Sequence, residues 1–305
     1  MTFRNRSGIL FSMNKLSREK RIQIIGLLVE GNSLRAASRL SDTAFNTVTK
    51  LFVDAGKACA EYQNKTLRNL TCKRVQVDEI WSFVYAKDLN APIEKKLKGE
   101  AGDVWTWVAI DADTKLVPSW YIGDRSGNAA WEFLTDLRGR LSNRIQLTSD
   151  GHRAYLIGVA GSFGDKVDFA QLVKIYGREP GGERRYSPPA CIGAVPHAVY
   201  GDPDPKHIST SFAERNNLTM RMSIRRFTRL TNAFSKKVEN HALSVALHYM
   251  HYNFCRIHKT LKVTPAMAAG VTDKAWSVAD LADMVDEAQP KPGKRGPYKK
   301  SKISK

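Results

Sequence analysis

The chain has 305 residues, which is enough for about two domains and a tail. It carries 48 lysine and arginine residues against 30 aspartate and glutamate residues, a formal net charge of +18 at pH 7. Such a surface favours polyanions, and nucleic acid is the first candidate. No run of 18 apolar residues occurs, so a membrane-spanning helix is not expected.

The N-terminal extension, residues 1–13, has basic residues and an apolar patch that is too short and too interrupted for a signal peptide. Four cysteines are scattered along the chain without Cys-x-x-Cys spacing or a histidine cluster, which argues against a zinc finger. They are Cys59, Cys72, Cys191 and Cys255. Reduced thiols in a cytoplasmic, nucleoid-associated protein fit this pattern best.

Residues 14–57 have the pattern of three short helices. The first has apolar residues at helical spacing and a natural stop at Gly31, and the third is expected to end at Gly56. A short helix, a turn and a polar-faced helix are typical of a helix-turn-helix DNA-binding domain, and a plain helical packing domain is the alternative. The predicted groove-facing residues are Asn46, Thr47, Thr49 and Lys50.

A linker of helical character, residues 58–73, precedes a pattern of alternating strands and helices. Three strands, a helix, a strand, a helix and a strand follow one another, with a hairpin turn at "DADTK" between the second and third strands. This order predicts an α/β domain over residues 74–270, built on a mixed sheet flanked by helices.

Several further segments follow along the chain in this interpretation. Residues 177–207 are dense in glycine and proline and predict a long excursion with little regular structure. Helices are expected from about residue 211 and about residue 234, with a C-terminal helical segment over 271–288. The tail, residues 289–305, holds seven lysine or arginine residues and no acid, which predicts a disordered segment available to phosphates.

Three carboxylates are candidate metal ligands. Asp78 is expected late in the first predicted strand of the sheet, Asp150 ends the fourth, and Glu214 opens a helix. Carboxylates from separate segments are what two Mg²⁺ or Mn²⁺ ions require, and such a pair of ions can clamp a phosphodiester during an in-line displacement. Each has a plainer alternative: a turn residue, a helix cap, and an S-x-x-E capping box formed by Ser211 and Glu214.

A basic run follows Glu214 and contains no acid. Arg221 lies two helical turns beyond Glu214 on the same face. A run that extends from a candidate metal ligand indicates a track for DNA phosphates, and a solvated basic face is the alternative. The basic residues are Arg215, Arg221, Arg225, Arg226, Arg229, Lys236 and Lys237.

Four stretches carry a resemblance to a known family: "VDEIW" (77–81), "SDGHRAY" (149–155), "ERNNLTMRMSIRRFTRLTNAFSKK" (214–237) and "YNFCRIHKTLKVTPAMAAG" (252–270). In this order they resemble the DDE transposases of bacterial insertion sequences, in particular the insertion-sequence-one-like group with its retroviral-integrase-like core. The resemblance covers roughly residues 15–275.

The resemblance implies a ribonuclease-H-like catalytic core whose metal ligands are Asp78, Asp150 and Glu214. It also implies an N-terminal helix-turn-helix that recognises the terminal inverted repeats of the element. One departure is the 63 residues between Asp150 and Glu214, about twice the number in the compact integrase pattern.

The leading hypothesis is therefore a Mg²⁺-dependent transposase that binds double-stranded DNA, both element ends and target, as a homo-oligomer in the synaptic complex. His152 and Arg221 are candidates for positioning phosphate. His241, Arg256 and His258 are candidates for supporting the site, with ordinary packing favoured for His241. The alternatives are a catalytically inactive DNA-binding relic or regulator, and a metal-dependent nuclease that cuts without joining.

Overall fold

The structure is a computed structural model, and it describes residues 16–177, 190–228 and 231–289. The predicted N-terminal extension, Arg229 and nearly all of the basic tail lie outside these residues, as does part of the predicted excursion, 178–189.

A six-stranded mixed sheet forms the centre of the fold, in the order β3-β2-β1-β4-β5-β6. β1 pairs in parallel with β4, and β4 with β5, whereas the other three pairs are antiparallel. The mixed α/β sheet predicted from the order of elements is thus confirmed. The strands are β1 (Arg74–Val84), β2 (Gly102–Asp111), β3 (Trp120–Gly123), β4 (Ile145–Asp150), β5 (Val167–Tyr176) and β6 (Cys191–Tyr200).

Helices flank the sheet on both faces, and none in the described part of the chain is long and apolar enough to cross a membrane. A π-helical turn, His251–Cys255, continues α8. The α-helices are α1 (Arg18–Val29), α2 (Leu34–Leu40), α3 (Phe45–Thr66), α4 (Ile93–Leu97), α5 (Gly127–Arg138), α6 (Ala154–Phe163), α7 (Ser211–Ser223), α8 (Val238–Met250), α9 (Pro265–Ala268) and α10 (Val278–Glu287).

The alternation of side chains along β1 divides the core into two clusters. Val75 and Val77 pack in the cluster that contains residues of α5 and α6, and Ile80 packs in the cluster that contains residues of α7 and α8. Because successive strand residues point to opposite faces, Asp78 lies on the α7 side of the sheet and Glu79 on the α6 side. This division determines which helix each of these two carboxylates faces.

The third helix was expected to end at Gly56. In the structure it continues to Thr66, through the first part of the predicted linker. Gly56 is the point where α3 approaches α8, and a Cβ atom built there would lie 2.6 Å from the Cβ atom of Leu243. The glycine therefore permits a close helix crossing rather than a helix stop. As a result, the N-terminal helices share one apolar cluster with the sheet.

The predicted excursion contains a strand, so the expectation of little regular structure is wrong for residues 191–200. These residues form β6, which pairs with β5 through Leu172–Pro196 and neighbouring pairs. Proline is tolerated because β6 is an edge strand. Most β6 side chains are exposed, so the strand lacks the buried alternation that would have marked it.

Candidate functional site

Asp78 and Asp150 meet where two parallel strands diverge. β1 and β4 pair as far as Gln76 with Thr148, and the same register places the two aspartates opposite each other two residues further on. Asp78 therefore lies in the middle of β1, not late in it as expected. Ligand oxygens of Asp78, Glu79 and Asp150 lie within 4.8 Å of one another, close enough to hold a metal ion.

Glu214 reaches the same place because α7 is tied to β1. The side-chain oxygen of Gln76 accepts hydrogen bonds from the backbone N–H groups of Phe212 and Ala213, at 2.8 and 3.2 Å. This satisfies free donors at the helix start and fixes the helix against the strand. Asp78, Asp150 and Glu214 then line one cavity of about 300 Å³.

Neither the capping box predicted for Ser211 and Glu214 nor the helix cap predicted for Asp150 is formed in the structure. Helix α7 begins at Ser211 itself, so Ser211 is not the capping residue, and the Thr210 hydroxyl donates to Glu214. Asp150 does not cap α6, which begins at Ala154. Its carboxylate instead accepts the backbone N–H of His152 at 3.0 Å.

The electrostatics of the cavity favour a cation. Burial, followed by the neighbouring charges of Glu79 and Asp150, raises the pKa of Asp78 to about 7. Asn217 donates to Asp78 Oδ2 at 2.8 Å, yet this neutral amide brings no positive charge. Carboxylate oxygens are the ligands that Mg²⁺ and Mn²⁺ prefer, so the residues fit a divalent metal ion.

Glu79, which the sequence analysis missed, is already fully engaged. Arg125 donates to Glu79 Oε1 through Nε at 2.8 Å, with Nη2 at 2.6 Å, and the Tyr155 hydroxyl donates to Oε2 at 2.9 Å. The Glu79 side chain is only 1% exposed. Both Glu79 oxygens are thus occupied by protein donors.

Two cationic side chains face the acids, and the sequence analysis found neither. Lys174 Nζ lies 2.6 Å from a carboxylate oxygen of Glu214. Burial alone would lower the pKa of Lys174, but the hydrogen bond and the charge of Glu214 outweigh it and raise the pKa. Arg125 lines the cavity with its guanidinium 4.6 Å from the centre of the Trp105 ring. Only the strand order, which puts β5 beside β4, could have indicated Lys174.

His152 lines the carboxylate cavity, as its predicted role in positioning phosphate requires. Its ring stacks on Trp107, with ring centres 5.9 Å apart. Arg221 lies on α7, the helix that carries Glu214. His241 is buried instead between Ser82 and Ser235, which confirms the packing alternative. Arg256 and His258 line a different cavity and do not support the carboxylates.

The predicted DNA-binding residues fall into two sets. Asn46, Thr47 and Lys50 are exposed at the start of α3, and Thr49 is partly buried beside them. Helix α7 ends at Ser223, so the following arginines do not extend its basic face as expected.

The arginines after α7 instead adjoin the start of α3. Thr49, Arg225, Arg226 and Lys236 line one groove of about 560 Å³. Within it, the half-buried Arg226 lies 4.9 Å from the centre of the Phe52 ring, and burial lowers its pKa to about 10. Lys237 is exposed next to this groove. The fold thus brings Thr49 of the first set beside Arg225, Arg226 and Lys236 of the second.

No protein-family model matches the chain, and no curated protein matches it. Among solved structures, the chain is similar to a piggyBac transposase in a cryo-EM structure of a synaptic complex with hairpin DNA. The sequences are 11% identical, the match covers 92% of this chain and 73% of that chain, and the TM-score is 0.37. A likeness at this level assigns neither a family nor an activity to this chain, so its function has to be inferred from the site itself.

Proposed function

We propose that the protein is a metal-dependent DNA transposase of the DDE type, which cleaves the ends of an insertion sequence and joins them to target DNA. One observation carries the proposal: Asp78, Asp150 and Glu214, from two adjacent parallel strands and one helix, line a single open cavity. The same three residues lie in the motifs that resemble those of bacterial insertion-sequence transposases.

The strand order supports a ribonuclease-H-like core. β1, β2 and β3 form an antiparallel meander, and β4 and β5 add in parallel on the other side of β1. Asp78 and Asp150 occupy the adjoining parallel strands, at the place where open α/β sheets position groups that handle ligands. β6 extends this core at its edge.

The residues divide the chemical work. Asp78, Asp150 and Glu214 would hold two Mg²⁺ or Mn²⁺ ions, which activate an attacking oxygen and stabilise the leaving oxygen at a phosphodiester. Arg125 is held by Glu79 and Trp105 with its charge at the cavity, where it can bind a non-reacting phosphate oxygen. His152 is fixed by its stacking on Trp107.

DNA binding is assigned to the groove between the N-terminal helices and the segment after α7. Helix α2, a turn over residues 41–44 and the start of α3 have the order of a helix-turn-helix. Arg225 and Lys236 contribute charge from the other wall of the groove. We assign this surface to the terminal inverted repeats, and synapsis of two ends would require a homo-oligomer.

The test is a strand-transfer assay with purified protein, Mg²⁺ or Mn²⁺, and DNA that carries the flanking ends of the element. Asp150→Asn is the key variant, and Asp165→Asn is its matched control because Asp165 is exposed outside the cavity. We expect joined products from the wild type and the control, and DNA binding without cleavage from Asp150→Asn.

The other outcomes separate the alternatives. Cleavage without joined products would indicate a nuclease. Binding without cleavage by all three proteins would indicate a DNA-binding regulator. Cleavage retained by Asp150→Asn would remove Asp150 from the metal site.

A further inference from the structure

A second basic cavity lies on the far side of α7 from the carboxylates and has a volume of about 400 Å³. Its walls come from α7, the end of β2 and the turn that follows the π-helical segment. Arg215, Arg256 and Lys259 are exposed at this cavity, and Lys115 and His258 are partly buried in it. Among the described residues that line it there is no carboxylate.

Helix α7 separates this cavity from the proposed active site. An α-helix turns by about 100° per residue, so Phe212, Arg215 and Thr219 lie on one face and Glu214 lies nearly opposite. The first three line the basic cavity, and Glu214 lines the carboxylate cavity. The two cavities are therefore distinct.

The basic turn is held in place by the fold. The backbone N–H of His258 donates to the carbonyl oxygen of Val263 at 2.9 Å, and that of Lys262 donates back to His258 at 2.9 Å. Just before the turn, Asn253 exchanges two hydrogen bonds of 3.0 Å with the backbone of Val117. The charges are thus presented from a preorganised turn rather than from a loose loop, which lowers the entropy cost of binding.

The basic surface continues beyond this cavity. Lys115 and Phe212 also line a neighbouring cavity of about 410 Å³, together with Arg74 and Lys206. One acid, Asp113, lies there, but it is paired with Arg74. Phe212 is 37% exposed between the two cavities, and the Lys115 ammonium group lies over its ring, 3.3 Å from the ring centre.

We propose that this surface binds the phosphodiester backbone of a second DNA segment, separate from the strand at the carboxylates. The choice of DNA rests on the proposed function, because a transposase handles an element end and a target at once. The cations at the first cavity repel one another, since its described lining residues include no carboxylate, and phosphate groups would offset that repulsion while releasing counterions. Arg215 and Arg256 can each form paired hydrogen bonds to a phosphate.

The test measures DNA binding by the full chain at several salt concentrations. The probe is a fluorescein-labelled duplex of mixed sequence, about three helical turns long, followed by fluorescence anisotropy. The variant combines Arg215→Gln, Arg256→Gln and Lys259→Gln. The charge-matched control combines Lys57→Gln, Lys98→Gln and Lys166→Gln, which are exposed lysines outside both cavities.

We expect the slope of log K against log salt concentration to shrink by about 2 to 3 in the variant, since each lost phosphate contact removes about 0.9. The control should change the slope by less than about 1. Equal slopes in variant and control would overturn the second site and leave the proposed function intact. Normal DNA binding by a wild type that cuts no DNA would remove the proposed function and leave the second site intact.

Discussion

Lys174 Nζ lies 2.6 Å from a carboxylate oxygen of Glu214, so a lysine from β5 already supplies a positive charge to a proposed metal ligand. The Lys174 side chain is 26% exposed and the Glu214 side chain is 41% exposed. A divalent cation bound at this cavity would share the Glu214 carboxylate with Lys174, so we expect the ammonium group and the metal to compete for it. Substitution of Lys174 is therefore the most direct way to change the affinity of the site for a metal ion.

We predict that Lys174→Gln binds Mn²⁺ more tightly than the wild type, by on the order of fivefold, the equivalent of about 1 kcal/mol for a partly exposed ion pair. Isothermal titration calorimetry with Mn²⁺ measures this directly. Lys166→Gln is the control, because Lys166 is exposed and does not line the cavity. Weaker Mn²⁺ binding by Lys174→Gln would show that the lysine orients Glu214 for the metal instead of competing with it.

Glu79 and Asp78 are neighbours in sequence but should respond differently to substitution. Glu79→Gln leaves Arg125 and Tyr155 facing a neutral amide in a buried place, so we expect a loss of about 1 to 3 kcal/mol in the free energy of unfolding. Because both Glu79 oxygens are occupied by protein donors, stabilisation of the fold by Mn²⁺ should persist in this variant.

Thermal unfolding with and without Mn²⁺ separates the two roles. Asp78→Asn is the matched comparison, and it should lose the upward shift of the melting temperature that Mn²⁺ gives to the wild type. If Glu79→Gln lost that shift while keeping the stability of the metal-free protein, Glu79 would be a ligand.

The sequence predicted those features that local patterns encode. The alternation of Val75 and Val77 marked β1, and the turn residues of "DADTK" marked the hairpin between β2 and β3. The order of strands and helices indicated a mixed sheet in which Asp78 and Asp150 could be neighbours, and the parallel pairing of β1 with β4 places them opposite each other. These inferences needed only periodicity and turn chemistry.

The features that the sequence did not predict depend on tertiary contacts. The carboxylate of Glu79 is separated from its partners Arg125 and Tyr155 by 46 and 76 residues, and no local pattern links them. The glycine signal at Gly56 was ambiguous, because a helix stop and a close helix crossing both call for the absence of a side chain. An exposed edge strand such as β6 has no buried face to impose a period of two.

Gly56 should be intolerant of even one added methyl group. A Cβ atom there would lie 2.6 Å from Leu243 Cβ and 2.9 Å from the Leu243 carbonyl oxygen. We expect Gly56→Ala to lower the free energy of unfolding by about 1 to 3 kcal/mol, because overpacking forces α3 and α8 apart. Urea unfolding followed by circular dichroism measures the change.

The matched control is Gly26→Ala in the interior of α1. The nearest atom to a Cβ built at Gly26 is Val278 Cγ1 at 3.9 Å, an ordinary contact. Alanine there should raise the free energy of unfolding by about 0.4 to 1 kcal/mol, since it restricts the unfolded chain and favours the helix. Stabilisation by both substitutions would mean that α3 and α8 are not held as closely as described.

His241 connects the sheet to the basic segment through a chain of hydrogen bonds. The Ser82 hydroxyl donates to the Val104 carbonyl at 3.1 Å, so its oxygen is left to accept from His241 Nε2 at 3.1 Å. On the other side, Ser235 lies 3.0 Å from His241 Nδ1 and accepts from Arg226 at 2.9 Å. This pattern assigns the neutral tautomer with the proton on Nε2.

A neutral buried histidine makes stability depend on pH in a defined direction. Burial, together with the charge of Arg226, lowers the pKa of His241 to about 3, whereas an unfolded histidine titrates near 6.5. Between these values the unfolded chain binds more protons, so stability is present above pH 6.5 and is lost as the pH falls towards 3. The slope from this one group is at most about 1.4 kcal/mol per pH unit. Urea unfolding at several pH values should show a shallower dependence of the free energy of unfolding on pH for His241→Gln. The dependence should be unchanged for the control His197→Gln, since His197 is exposed. The same dependence in the wild type and His241→Gln would mean that the imidazole of His241 is charged in the folded protein.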